Sequence, residues 1–463
     1  MNDKYKFLLK DTFIFALGNF GSKIILFLLV PLYTNYLTTS EYGTADLITT
    51  FSQLIIPIAS LCINESIVRF ALKKDEKPEN VIIIGFSIFI FSLFVVLISL
   101  PALNLYKLIA PWKWYLAIYI ILSCISETEK AYLKAKGFNK KYALISILET
   151  LILAITNFIL IKVLKKGVSG YLIANNVALA ATVIFSFFAG KIYRSFSVGK
   201  FDISLLKRMV TFSYPLIFNN ISWWVIHSSD KIMIEAMIGA SALGLYTAAT
   251  KVPSLINVII AIFTQAWSIS SIKEIENDAD NTFFSNVFEA YSLVCFGAAI
   301  FFTSIVKIFM KVYVGDSFFG AWKYTPLLLS AAVFYAISSY YGSLYSAIQK
   351  TLHSMTTTII CAITNIVVNY IFIRIVDTWG AIIGTVFSYF VISHLRMIDI
   401  RKYVEIKFNK LIYCLNCMLL LAQAILVSLD FEVYIVSITT MIFFILLNIE
   451  EIKRLLDGVW LKL

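Results

Sequence analysis

The chain has 463 residues, of which 60% are apolar or aromatic and 14% charged; its mean hydropathy is +0.84 and its formal net charge +11. A soluble domain carries about 25% charged and roughly 45–50% apolar residues. The composition therefore excludes a soluble globular enzyme and a disordered chain, and leaves a polytopic membrane protein.

A membrane-crossing helix needs about 20 mainly apolar residues. Fourteen such runs follow one another at 12–34, 44–67, 81–102, 114–134, 142–163, 169–190, 209–238, 245–271, 284–306, 323–348, 352–374, 380–398, 411–429 and 432–449. They are continuous and lack the alternation of barrel strands, so the expected fold is all-α with 14 transmembrane helices. The polar, basic stretch 1–10 leads into the first run without a small-residue cleavage site, which predicts an uncleaved first span. The seventh and eighth runs are long enough to tilt or kink. No connection is long enough for a catalytic domain of about 100 residues. All six cysteines fall in apolar runs, Cys414 and Cys417 included, and predict buried, reduced thiols.

Basic residues mark the orientation. With the N-terminus inside, 27 Lys and Arg fall in inside segments, 9 in outside segments and 3 within spans. That bias predicts that both termini are cytoplasmic. The +11 charge thus reads as cytoplasmic loops and not as a nucleic-acid surface.

An internal repeat appears at an offset of 201 residues. Asn19 falls on Asn220, Leu37 on Ile238 and Gly43 on Gly244, and residues 37–46 (LTTSEYGTAD) lie over 238–247 (IGASALGLYT). Six helices per unit make a parallel repeat. The expected organisation is a six-helix lobe at 1–200, a second at 201–405, and two extra helices with a tail at 406–463.

Several residues inside the spans carry chemistry. Lys23 lies roughly 11 residues into the first run, about 16 Å deep at ~1.5 Å per residue, and Lys251 lies just inside the eighth. Intramembrane charges usually face protein or water. Both lysines are candidates for binding an anionic headgroup, and both have carboxylates available as structural partners, Asp46 for Lys23 and Asp230 for Lys251. Arg69, at the inner end of the second run, is a weaker headgroup candidate and also an ordinary interfacial anchor. Asn365 and Asn369 are i, i+4 and share a helix face. With Asp230, Thr385 and the Ala381 carbonyl they offer an all-oxygen set for a small hard cation; interhelical hydrogen bonding is the plain alternative. Tyr335, Tyr340, Tyr341 and Tyr345 recur along the tenth run, available either to stack on sugars or to pack.

Other motifs point away from catalysis. Asp278-Ala279-Asp280 resembles the D-x-D of nucleotide-sugar glycosyltransferases, but it stands in a short acidic loop. No G-x-x-x-x-G-K-[ST] or H-E-x-x-H is present, and His227, His353 and His394 are scattered.

The order and spacing of short motifs resemble Wzx-type polysaccharide flippases of the multidrug/oligosaccharidyl-lipid/polysaccharide exporter superfamily. The residues concerned are Gly18-Asn19-Phe20-Gly21-Ser22-Lys23, Pro31-Leu32-Tyr33-Thr34, residues 41–47 (EYGTADL), Tyr214-Pro215-Leu216, Ser229-Asp230-Lys231 and Gly244-Leu245-Tyr246. Lys350-Thr351, Asn365, Asn369, Gly380-Ala381 and Gly384-Thr385 complete the pattern. The resemblance implies a V-shaped two-lobed transporter of the bacterial inner membrane that flips undecaprenyl-diphosphate-linked sugar repeat units outward, as in O-antigen or lipopolysaccharide synthesis. It implies substrate-site roles for Lys23 and Lys251, and membrane lipids, a polysaccharide polymerase and chain-length proteins as partners. It also implies a sodium site at Asp230, Asn365, Asn369 and Thr385, with Na+ or H+ as coupling ion and no other cofactor. Asn369 stands where the family has a second carboxylate, which predicts weaker ion binding. The family's second-span arginine has no match near 46–50, and the two last helices are its expected lipid-tail groove. A multidrug exporter of the same superfamily is the runner-up. A membrane-bound O-antigen polymerase or ligase is disfavoured, because every external gap is under 20 residues.

Overall fold

The computed structural model describes residues 21–73, 75–276 and 281–456. Gly18-Asn19-Phe20, the start of the first run and Asp278-Ala279-Asp280 lie outside the described residues. Within them the regular structure is helical throughout, with no strand.

The chain divides into two compact units, one ending at Ser228 and one beginning at Ser229. The helices of the first are α1 (Val30–Tyr36), α2 (Thr39–Ala59), α3 (Ile63–Ala71), α4 (Pro78–Leu103), α5 (Lys113–Ala135), α6 (Asn139–Asn157), α7 (Gly167–Ala189) and α8 (Ile192–Val198). Helix α9 (Ile203–Met237) runs through the boundary. The second unit continues with α10 (Ala240–Ala249), α11 (Lys251–Glu276), α12 (Asn281–Tyr313), α13 (Thr325–Ala347), α14 (Thr351–Val376), α15 (Thr378–Ile400), α16 (Lys410–Ser428), α17 (Val433–Leu447) and α18 (Ile449–Leu456).

Each predicted run is helical where described. Among the described residues, nine helices are long and apolar enough to cross a membrane, and up to eleven if each bent pair is one span. The predicted spans at α5 and α9 fall outside that set because polar residues interrupt them: Glu127, Glu129 and Lys130 in α5, and Asn219, Asn220, His227 and Asp230 in α9. Of these, Glu129 and Asp230 are buried, and buried ionisable side chains within spans are costly and tend to be functional.

Local chemistry sets the helix ends. Thr38 and Glu41 form a capping box at the start of α2, which satisfies two otherwise orphaned N–H groups. Gly239, 201 positions later, precedes α10 with φ of +126°, a conformation that side chains with a Cβ rarely adopt. The α2–α3 pair bends by 51° because Leu61 and Cys62 both take left-handed backbone (φ 50°). Ser92 of α4 donates to the Ala59 carbonyl at 2.8 Å, so the acceptor freed by the break keeps a partner inside the helix pack.

The core of the first unit joins α3, α4, α5, α8 and α9 through Ile63, Ile67, Phe70, Val81, Tyr132 and Met209. In the second unit α13 is the most enclosed span. Its tyrosines pack and do not present faces to a ligand. Tyr340, Tyr341 and Tyr345 are at most 1% exposed; Tyr340 stacks on Trp267 at 4.7 Å between centroids and donates to the Phe284 carbonyl at 2.6 Å. Tyr335 lies against Tyr389. Of the two alternatives for this row, stacking on sugars or packing, the structure shows packing: the Tyr345 hydroxyl donates to Asp399 at 2.9 Å, while the Tyr341 hydroxyl is buried without a hydrogen-bond partner. The cysteine expectation also needs one correction. All six are free and five are buried, but Cys414 is exposed.

Candidate functional site

A polar cluster lies inside the second unit and draws on four helices. From α9 come Ser229 and Asp230, from α10 Tyr246, from α14 Asn365 and Asn369, and from α15 Ala381, Gly384, Thr385 and Ser388. Asp230 is 6% exposed, Asn365 3% and Asn369 0%. The Tyr246 hydroxyl donates a short hydrogen bond to the Asp230 carboxylate, and the Lys231 backbone N–H donates to its other oxygen at 2.8 Å. The Thr385 hydroxyl faces the same Tyr246 phenol while donating to the Ala381 carbonyl at 2.9 Å.

The asparagine pair behaves as i, i+4 geometry requires. Asn369 Nδ2 donates to Asn365 Oδ1 at 3.1 Å, and Ser229, next to Asp230 in the chain, donates to the same oxygen at 3.0 Å. Asn365 Nδ2 donates to Ser388 Oγ at 3.2 Å, and Ser388 in turn donates to the Gly384 carbonyl at 2.6 Å. One acceptor is left over: Asn369 Oδ1 is buried and has no hydrogen-bond partner. A Cβ on Gly384 would overlap that oxygen, so glycine is what lets α15 approach it.

The four sequence-predicted cation ligands thus share one unit and one hydrogen-bonded region. The orphaned Asn369 oxygen, the Asp230 carboxylate and the neutral oxygens around them fit a small hard cation. A softer metal does not fit: among the described residues no group of three or more His, Cys, Asp or Glu side chains is placed to hold one. Sequence reasoning missed Ser229, Tyr246 and Ser388. Ser388 was discoverable as the residue one turn after Gly384. The Tyr246 contact had no spacing signal, because it depends on the turn between α9 and α10.

The four headgroup candidates are placed differently. Lys23 is exposed, Lys251 half-buried at the first position of α11, and Asp46 9% exposed in α2. Arg69 is exposed, with its guanidinium 4.3 Å from the Phe212 ring centroid. It follows Asp46 by 23 residues along the bent α2–α3 pair, about 35 Å of path at ~1.5 Å per residue, so those two do not share a site. Three ion pairs lie in the first unit: Lys130 with Glu149, Lys136 with Glu79 at 2.7 Å and Arg208 with Glu76 at 2.8 Å. Burial opposes the charge on Lys136, but its hydrogen bonds to Glu79 and Tyr132 outweigh that and hold its pKa above the usual lysine value.

Comparison with known proteins places this geometry in context. The fold is similar to that of a solved lipid II flippase, MurJ, whose structure is of an inward closed conformation, with a TM-score of 0.68 and 15% sequence identity over 95% of this chain and 100% of that one. An inward-facing multidrug resistance MATE family transporter of the MOP superfamily gives a TM-score of 0.65 and 14% identity over 82% of this chain and 98% of that one. No curated protein matches the chain by sequence. Residues 8–269, more than half of the length, match the polysaccharide biosynthesis protein family, and the chain, a multi-pass membrane protein, belongs to that family.

Proposed function

We propose that the protein is a secondary transporter that moves a polyprenyl-diphosphate-linked sugar repeat unit from the cytoplasmic to the periplasmic face of a bacterial inner membrane by alternating access. The observation that carries this reading is Lys23, exposed in the structure and placed by the sequence well inside the first apolar run of a chain of the polysaccharide biosynthesis family. A charge there is expensive in lipid and useful to a diphosphate. Lys23 and Lys251 are assigned to the anionic headgroup, each as a point charge; Arg69 and Asp46, which do not share a site, are left out of that assignment. Asp230, Asn365, Asn369 and Thr385 are assigned to a coupling cation, sodium by the all-oxygen donor set. The fold likeness to a lipid II flippase supports a lipid-linked sugar as substrate class. Both termini are assigned to the cytoplasm by the basic-residue count.

An outward-moving headgroup with about two negative charges gains ~2.3 kcal/mol per charge per 100 mV of membrane potential, which drives export without ATP. The test is a headgroup-accessibility assay in proteoliposomes loaded with polyprenyl-diphosphate sugars. Protein-dependent, potential-stimulated appearance of headgroup on the far leaflet is expected. Equal accessibility with and without protein, for every lipid-linked sugar offered, overturns the reading.

A further inference from the structure

Glu129 is the second acidic residue of a buried stretch of α5, in the first unit, and it belongs to neither the cation nor the headgroup set. It is 0% exposed. Neither of its carboxylate oxygens has a hydrogen-bond partner. Isolated ionised carboxylates are not tolerated in such surroundings; the group neutralises instead.

Its neighbours offer no countercharge. Three lysines follow within seven residues of the same helix, and all are engaged elsewhere. Lys130 pairs with Glu149 of α6 and Lys136 with Glu79 of α4, while the Lys134 ammonium lies 4.6 Å from the centre of the Tyr142 ring. The other titratable groups on helices around α5 are likewise committed or remote. On α3, Glu65 and Arg69 are exposed, and Arg69 covers Phe212. Arg194 of α8 lies over Tyr193. On α2, Asp46 lies toward the opposite end of the unit, as does Tyr171, the one titratable residue of α7. On α5 itself, Tyr132 bonds Ser195 at 3.1 Å, and Glu127 is on the other face.

A second orphan stands at the same level. Leu133 of α5 reaches Gly190 at the end of α7, where a Cβ would lie 3.2 Å from its Cδ2. One helical turn back along each helix are Glu129 and Ser186. Ser186 is 0% exposed and its hydroxyl oxygen also has no partner. The level thus holds three partnerless oxygens; the one ammonium that reaches the end of α7 from α6, Lys141, is committed to the Ala189 carbonyl at 2.8 Å and lies over the Phe138 ring.

We infer that Glu129 is a proton-binding site inside the first unit, holding a proton from the aqueous phase as a carboxylic acid while enclosed and returning it to water when α5 and α7 part. Ser186 stands at its level on the facing helix, with a hydroxyl that has no other partner. The chemistry is one reversible proton transfer between water and a carboxylate oxygen, with no other reactant. A coupling role for that proton rests on the transport reading; the protonation itself does not.

Infrared difference spectroscopy of the purified protein in lipid at neutral pH tests the protonation. A protonated-carboxyl band present in wild type and missing in Glu129→Gln is expected. Glu129→Asp should shift that band, and Ser186→Ala should move it if the hydroxyl lies beside it. Identical carboxyl-region spectra for wild type, Glu129→Gln and Glu129→Asp overturn the proposal. So does loss of the wild-type band on adding sodium at constant pH, which would make the ligand a metal cation. In proteoliposomes, an imposed pH gradient should change wild-type transport and leave Glu129→Gln unresponsive. Equal responses, with the infrared band present, overturn the coupling role. Absence of transport by wild type, with the band present, rejects the transport reading and leaves the proton site standing.

Discussion

Asn369 donates its side-chain amide to Asn365 Oδ1 at 3.1 Å, while its own Oδ1 accepts no hydrogen bond although it is buried. A buried acceptor without a partner costs about 1–3 kcal/mol, so the pair is incomplete as it stands. A cation held by that oxygen would complete it, with the Asp230 carboxylate of the same hydrogen-bonded region as the proposed counter-charge. Asp230→Asn is expected to lower transport and abolish any sodium dependence, whereas Asn369→Asp, by adding charge, is expected to tighten sodium binding on the order of tenfold. Sodium-dependent thermal shifts of the purified variants measure this. Transport indifferent to both sodium and proton gradients in wild type would sink the coupling assignment.

The Tyr246 hydroxyl serves the same carboxylate. Tyr246→Phe leaves Asp230 short of a donor in a dry setting. A stability loss of about 1–3 kcal/mol is expected, with the loss reduced in Tyr246→Phe/Asp230→Asn, since the double variant buries no charge. A double-mutant cycle on unfolding midpoints checks the coupling.

Gly384 and Gly380 permit close approach of α14 and α15. A Cβ at Gly384 meets a side-chain oxygen, and one at Gly380 meets the backbone of Phe372 and Ile373. A side chain yields more readily than backbone. Gly384→Ala is expected to destabilise by about 1–3 kcal/mol through overpacking, and Gly380→Ala by more. The yield and melting temperature of monodisperse protein in detergent give the ranking; equal or reversed stability contradicts it.

Lys23 and Lys251 are assigned to a diphosphate, whose charge-assisted bonds are stronger than neutral ones. Lys→Ala at each should weaken headgroup binding by about tenfold or more per folded molecule, and Lys23→Arg should retain part of it. If either lysine is instead a structural partner of a carboxylate, Lys→Ala lowers the amount of folded protein and leaves per-molecule binding intact, and Lys23→Ala/Asp46→Ala restores the yield.

Orientation is testable by labelling. In a background lacking the native cysteines, because Cys414 is exposed, cysteines at Ser40 and Ser317 are expected to react from the periplasm. One at Lys136 should react only after permeabilisation. Labelling of the Ser40 variant from the cytoplasmic side alone reverses the topology.

Much of the fold was legible in the order of residues. The helix positions follow from continuous apolar runs, because in lipid each segment must satisfy its own backbone, and that requirement is local. The Asn365–Asn369 bond was legible for the same reason: i, i+4 residues meet on any helix. The capping box at Thr38 and Glu41 is equally local. The polar interruptions in α5 and α9 stood in plain view, yet their meaning did not. Whether Glu129 meets one of three nearby lysines depends on which helix each side of α5 faces, and the structure turns every lysine away from it. Tyr246 reaches Asp230 only because Gly239 reverses the chain between α9 and α10. The tyrosine row of α13 is indistinguishable in sequence from a ligand-facing stripe, and packing against Trp267, Phe284 and Asp399 decides otherwise. Periodicity says which residues share a face; only the assembled helices determine what that face touches, since in a membrane apolar partners and lipid look alike to a sequence.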